Sequence, residues 1–110
     1  MRGYNHVTLV GQVVGLVKNE LTIDQNQKST FSIRVSKGWK KDQDNDADIF
    51  EIITFGKLAD ICYEYLQEGR RLLVDGKLTN MHDVLTNEIR MVIVADEVTI
   101  LSSPLKSDKE

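Results

Sequence analysis

Apolar and polar residues alternate along most of this chain, and the period of the pattern changes clearly in only one place. From Asn5 to Val17, Val7 and Leu9 alternate with His6 and Thr8 until Gly11 and Gly15 interrupt. Glycine inside a strand pattern marks a sharp bend or bulge, the device by which small barrels turn their corners. Lys18-Asn19 reads as a turn, Glu20 to Asp24 as a short continuation, and Gln25 to Ser29 as polar and turn-like. Phe31, Ile33 and Val35 then alternate with Ser32, Arg34 and Ser36, the clearest half-buried strand. A long charged connection follows from Lys37 to Asp48.

The period changes after the next strand. Ile49 to Phe55 is β-branched and aromatic on both faces, with Glu51 its single charge, which predicts a strand covered on both sides. Past Phe55-Gly56, the residues Leu58, Ile61, Cys62, Tyr65 and Leu66 recur at the spacing of one buried helical face. Gly69 stands where a helix end needs a residue that tolerates positive φ. Residues 70–79 predict a fourth strand with an internal Gly76, and residues 80–87 a polar hairpin tip. Residues 89–101 predict a long last strand bent near Ala95-Asp96.

Five strands with one helix between the third and fourth predict an all-β protein. This is the order of an OB-fold, a five-stranded Greek-key barrel that takes oligonucleotides and oligosaccharides. With 110 residues the chain has room for one core. The expected division is a barrel over residues 1–102 and a short disordered tail over 103–110, which holds the only proline, Pro104.

Composition narrows the function by exclusion. No apolar run approaches the roughly 20 residues of a membrane helix, and no basic-then-apolar signal segment opens the chain. A single cysteine forms no intrachain disulfide and no cysteine-rich zinc site, so Cys62 is expected in the core. These features point to the cytoplasm. The run Asp42, Asp44, Asp46, Asp48 suggests a calcium loop only superficially. Counted from Asp42, Ala47 falls where the turn glycine belongs and Ile53 where the bidentate glutamate belongs. The run therefore reads as a solvated loop, and no metal or cofactor is expected. His6 and His82 are far apart in sequence, and no glycine-rich phosphate loop or carboxylate pair stands out, so no catalytic role is expected. The formal charge of −3 argues mildly against nucleic acid, although a basic groove can coexist with acidic loops.

Four stretches resemble the bacterial single-stranded DNA-binding protein family. They are N-H-V-T-L-V-G, F-S-I-R-V-S-K-G-W, the segment T-F-G-K-L-A-D-I-C-Y-E-Y-L-Q-E-G with the L-L-V-D-G-K-L after it, and V-I-V-A-D-E-V-T-I-L. Together the likeness covers roughly residues 4–101. It implies a homo-oligomer, a tetramer favoured and a dimer possible, that coats single-stranded DNA during replication, recombination and repair. It also implies that the aromatic closing the second strand is Trp39, the aromatic ending the third is Phe55, and the lysine just beyond is Lys57. Some family positions differ here. Ile49 stands where an aromatic is frequent, no aromatic lies near Asp83, and Met81, His82 and Glu68 occupy positions often basic. The tail ends Ser107-Asp108-Lys109-Glu110, without an acidic-hydrophobic tip.

Sequence-blind binding of a single strand needs flat π-faces for bases and cations for phosphates. Trp39, the only tryptophan, lies outside any apolar alternation beside Lys37, Lys40 and Lys41, and reads as a stacking platform rather than a loop anchor. Phe55 shares strand parity with Ile49, Glu51 and Ile53, so it stacks if that face is the groove and packs if it is core. Phe50 points the other way, toward core or a subunit contact. Phe31 is expected in the core, and Tyr65 in the helix's packing stripe. Arg34 points away from the apolar side of its strand, and Lys77 and Arg90 are further candidates for phosphate. The candidate interface is therefore Trp39, Phe55, Arg34, Lys37, Lys40, Lys57, Lys77 and Arg90. The alternative reading keeps the fold and changes the task, to a protein-interaction module of a replication-restart complex with weak DNA affinity, akin to a primosomal replication protein.

Overall fold

The alternating segments close into a barrel. The structure, a computed structural model, describes residues 3–37 and 46–102. Its elements are β1 (Val7–Leu21), β2 (Gln27–Ser36), β3 (Ala47–Phe55), α1 (Gly56–Tyr65), β4 (Arg71–Asp83) and β5 (Glu88–Ser102). The strands form a closed barrel in the order β1-β2-β3-β5-β4, with β4 returning to β1. All pairs are antiparallel except β3 with β5, where Ile52 faces Ile93 and Ile53 faces Val94. This is the five-stranded OB-fold expected from the order of elements, with its helix between the third and fourth strands.

The interior is filled from alternate positions of every strand. Val13, Phe31, Ile33, Ile52, Leu72, Val74, Ile93 and Ala95 form one cluster, capped by Cys62 and Leu66 from the helical segment. Phe31 therefore lies in the core, and Phe50 packs half-buried against it. Burial holds the Cys62 thiol in its protonated form, raising its pKa to about 11, against a hydrogen bond with Thr54 that lowers it. The helix is tied to the barrel by Ser29, whose buried hydroxyl donates to the Ala59 carbonyl at 2.7 Å.

Several expected boundaries shift. Lys18 and Asn19 do not turn: they pair with Thr30 and Ser29 inside β1, and the turn comes at Thr22–Asn26, with Gln25 at φ 69°. A register shift between Val14 and Lys18, beside Gly15 at φ 77°, absorbs the bend. The pattern-based reading took two adjacent polar residues for a turn, but an outward strand face accepts them equally well. The hairpin tip is also shorter than 80–87. Asn80 to Asp83 continue β4, paired to Glu88–Met91, because solvated polar residues at a strand end still complete a ladder. The expected bend near Ala95-Asp96 is present. Asp75 faces Glu97 while Gly76 faces Ala95, leaving Asp96 as an extra residue.

The helix is rotated relative to the expected stripe. Ala59 and Cys62 are buried, whereas Ile61 is 50% and Tyr65 53% exposed. The small Ala59 lets the helix approach β2 closely enough for the Ser29 bond, and that contact sets the rotation. Gly69 has the expected left-handed φ of 92° but not at the helix end: α1 stops at Tyr65 with Leu66 extended as its cap, and Gly69 lies in the turn beyond. It donates from N–H to the Val13 carbonyl at 2.8 Å and so joins the segment after the helix to β1.

Candidate nucleic-acid interface

Strand parity puts a second set of side chains on the outside of the barrel. In β2 these are Lys28, Thr30, Ser32 and Arg34; opposite them in β3 stand Phe55, Ile53, Glu51 and Ile49. On the far side of β2, Gln12, Val14 and Lys18 of β1 continue the same face. On the far side of β3, Val94 of β5 is level with Ile53, and Lys77 of β4 faces Val94. Ile53 and Val92 belong to this outward parity yet are almost fully buried and lie outside the interior cluster. They form an apolar floor beneath the exposed groups.

Phe55 is 45% exposed and sits at the N-terminal cap of α1, where its side chain makes no capping hydrogen bond. Its ring is thus available to stack, and Lys28 lies directly across the ladder from it. Lys57, two residues on, is exposed at the start of the helix. Ile49 is 57% exposed at the other end of β3, opposite the half-buried Arg34. The strand read as covered on both sides is therefore covered only in its centre, at Ile52, Ile53 and Thr54. No other layer lies over its ends among the described residues.

Among the described residues, Arg90 and Lys37 make ion pairs within the protein. Arg90 donates to Glu51 through Nε at 2.9 Å and Nη2 at 3.1 Å. Lys37 lies 3.5 Å from Asp46 and 3.8 Å from Asp48. Glu51 is held below the ordinary carboxylate range chiefly by the hydrogen bonds from Arg90, with Lys28 and Lys18 adding to the pull and burial opposing it. Lys77 is exposed. Trp39 and Lys40 lie outside the described residues, as do Asp42 and Asp44 of the acidic loop and the tail 103–110.

Lys28 and Lys18 were missed from sequence. Lys28 alternates in phase with Arg34 over Lys28, Thr30, Ser32 and Arg34, a signal present in the sequence but masked by reading Gln25 to Ser29 as a turn. Lys18 shares the parity of Gln12 and Val14 and was missed because Lys18-Asn19 reads as a turn; the two-residue register shift in β1 sets it opposite Thr30. Among the described residues no group of three or more His, Cys, Asp or Glu side chains is placed to hold a metal, and no helix is long and apolar enough to cross a membrane.

A small OB barrel with one exposed basic and aromatic face defines the class of protein. Residues 4–101 match the model of the single-strand binding protein family, and the chain belongs to that family. It is 35% identical over 81 residues to a single-stranded DNA-binding protein of Thermotoga maritima, an alignment covering 71% of this chain and 57% of the relative. It is 34% identical over 80 residues to single-stranded DNA-binding protein 1 of Chlorobaculum tepidum, covering 70% of this chain and 49% of the relative. The chain thus spans about half the length of these relatives. In three dimensions it resembles the SSB domain of a Synechococcus protein, with TM-score 0.71 at 11% identity, covering 90% of this chain and 98% of that one. At that identity the likeness bears on the fold alone.

Proposed function

We propose that this chain binds single-stranded DNA without regard to sequence, as a homo-oligomeric, non-catalytic coating protein of replication, recombination and repair in the cytoplasm. The observation that carries the reading is the exposed Phe55 ring facing Lys28 across the β2–β3 ladder, on the same outward face as Arg34, in a chain of the single-strand binding protein family. Stacking a base on an aromatic ring contributes about 1–3 kcal/mol and is indifferent to base identity, because every base has a π-face. Arg34, Lys57 and Lys77 supply charge for phosphates along that face, and Trp39, Lys37 and Lys40 are assigned to the same interface from the sequence. The short C-terminal segment 103–110 is assigned no part in it.

Titration of the protein with oligo-dT tests this reading, followed by tryptophan fluorescence and by light-scattering mass. Strong quenching with tight, length-dependent binding is expected, on an oligomer with tetramer favoured over dimer. One observation supports the second reading, a protein-interaction module with weak DNA affinity. The Arg90–Glu51 and Lys37–Asp46 contacts neutralise two of the candidate cations. Millimolar or absent binding of oligo-dT is the result that favours it.

A further inference from the structure

Beyond the barrel wall, β4 and β5 are paired only with each other among the described residues. The ladder from β1 reaches β4 as far as Gly76, and the Asn5 carboxamide ends it by accepting the Leu78 N–H at 3.0 Å and donating to the Leu78 carbonyl at 2.8 Å. The ladder from β3 touches β5 only at Ile93 and Val94. From Thr79 to Asp83 and from Glu88 to Val92 the two strands therefore make a ribbon. A two-stranded ribbon is marginal in water unless something packs on one of its faces.

Its tip is nevertheless firmly built. The Asp83 carboxylate accepts the Leu85 N–H at 3.0 Å, and the Asp83 carbonyl accepts the Asn87 N–H at 2.7 Å. His82 Nε2 lies 3.0 Å from Asn87 Oδ1, with Asn87 at φ 63°. Val84 and Leu85 are thereby held outward, 84% and 95% exposed.

The two faces of the ribbon differ in charge. Asn80 faces Met91 and His82 faces Ile89, so these four share one side, and Leu78 continues it toward the barrel. All five are exposed, and none is Asp, Glu, Lys or Arg. The other side carries Lys77, Asp83, Glu88 and Arg90, the last bonded to Glu51. An apolar strip from Leu78 through Met91 and Ile89 to the tip marks a contact with another macromolecule. It offers no lysine or arginine to a phosphate, and no charge by which a basic or acidic protein could select it. A two-fold axis, however, sets a face against its own copy, and a face without charge meets itself without repulsion. Contacts between identical subunits are accordingly the more apolar class of interface.

We propose that a second copy of this chain covers the uncharged face of the ribbon, in an isologous contact centred on Leu78, Ile89 and Met91 with Val84 and Leu85 at its end. The inference rests on the homo-oligomeric reading and assigns a surface to it. Lys77 and Arg90 lie on the opposite side of each ribbon, so the contact leaves them uncovered.

The test measures light-scattering mass of the full chain over a dilution series, without DNA. Met91→Glu and Leu85→Glu each bury an unpaired carboxylate in the contact and are expected to weaken association about tenfold or more. Met91→Leu keeps the volume and is expected to associate as the wild type does. Glu88→Gln, on the charged side, is expected to do the same. Circular dichroism confirms the fold of each variant. Leu85 lies outside both ladders, so Leu85→Glu decides the matter if Met91→Glu fails to fold. A wild type with the mass of one copy at every concentration removes the homo-oligomeric reading and this proposal together. An oligomeric wild type, with association unchanged in both glutamate variants, removes this proposal alone. Loss of oligo-dT affinity in Met91→Glu at unchanged mass assigns the face to DNA and also overturns it.

Discussion

Arg90 of β5 and Glu51 of β3 lie 39 residues apart in sequence and meet through two parallel hydrogen bonds, at 2.9 and 3.1 Å, on the outward face of the barrel. A carboxylate held by the fork of an arginine presents the same planar pair of oxygens that a phosphate would. On the proposed DNA-binding reading, Glu51 occupies the place on Arg90 that a phosphate would take, so the two would compete.

Removing that competitor should strengthen binding. Glu51→Gln is expected to tighten oligo-dT binding several-fold at neutral pH and to steepen its salt slope by about 0.7, one phosphate's contribution. The pH dependence follows from the sign of the shift. Glu51 ionises below its usual 4.5 in the folded chain, so the pair's stabilisation is present above that value and is lost as pH falls through the lowered one. Acid titration of the wild type and of Glu51→Gln, followed by circular dichroism, should show this component of the loss only in the wild type.

The two phenylalanines of β3 should separate binding from stability. Phe55 is an exposed cap residue without a capping hydrogen bond, so Phe55→Ala is expected to cost about 1–3 kcal/mol of oligo-dT affinity with little change in the urea midpoint. Phe50 packs against the core cluster, so Phe50→Ala is expected to lower stability by up to about 3 kcal/mol. Affinity measured where Phe50→Ala is still folded should be near that of the wild type.

Ile49 offers a gain-of-function check. It is 57% exposed on the parity of Phe55 and stands opposite Arg34, so an aromatic there meets solvent and a neighbouring cation. Ile49→Trp is expected to tighten binding by about 1–3 kcal/mol, one stacked base, with new quenchable fluorescence in the titration. An unchanged affinity would place the strand's path away from this end of β3.

Gly76 is required by crowding rather than by φ. A Cβ there would overlap the Val94 carbonyl oxygen and lie 2.8 Å from the Ala95 Cα, both backbone atoms that cannot step aside. Gly76→Ala is expected to destabilise by about 1–3 kcal/mol or more, read from urea unfolding, because β4 must move off β5 at the Asp96 bulge.

Cys62 should be chemically silent until the chain unfolds. Burial raises its thiol to about 11, so a thiol reagent at pH 8 is expected to react slowly in buffer and at once in denaturant. The same shift sets a stability window. The folded state keeps its proton to higher pH than the unfolded one, so this contribution is intact below about 9 and fades as pH rises toward 11.

Much of the barrel was legible because its interior alternates at period two. Phe31 and Ile33 fall on inward positions that the alternation of their strand exposes, whereas Ile52 lies in a strand apolar on both faces, whose inward side the pattern does not mark. The helix was legible as a helix, but its rotation was not. Ile61 and Tyr65 have the spacing of a buried face, and only the approach of Ala59 to Ser29 shows that they face outward. The site was legible in part. Phe55 and Arg34 lie on the shared face, as their strand parity implies. Lys18 was not placed there because Lys18-Asn19 reads as a turn; it keeps the parity of Gln12 and Val14, and only the pairing with β2 shows that the strand runs on through it.

The sequence by itself determined the order of elements, the inward set of β2, the glycine bends and the family likeness, because each is written in spacing a few residues long. Tertiary structure decided which outward residues meet. Arg90 reaching Glu51, and Arg34 and Arg71 flanking Gln12, join residues tens of positions apart through ladder register. Register is a property of two strands together, set by where bulges and turns let the barrel close, and one strand's pattern does not contain it.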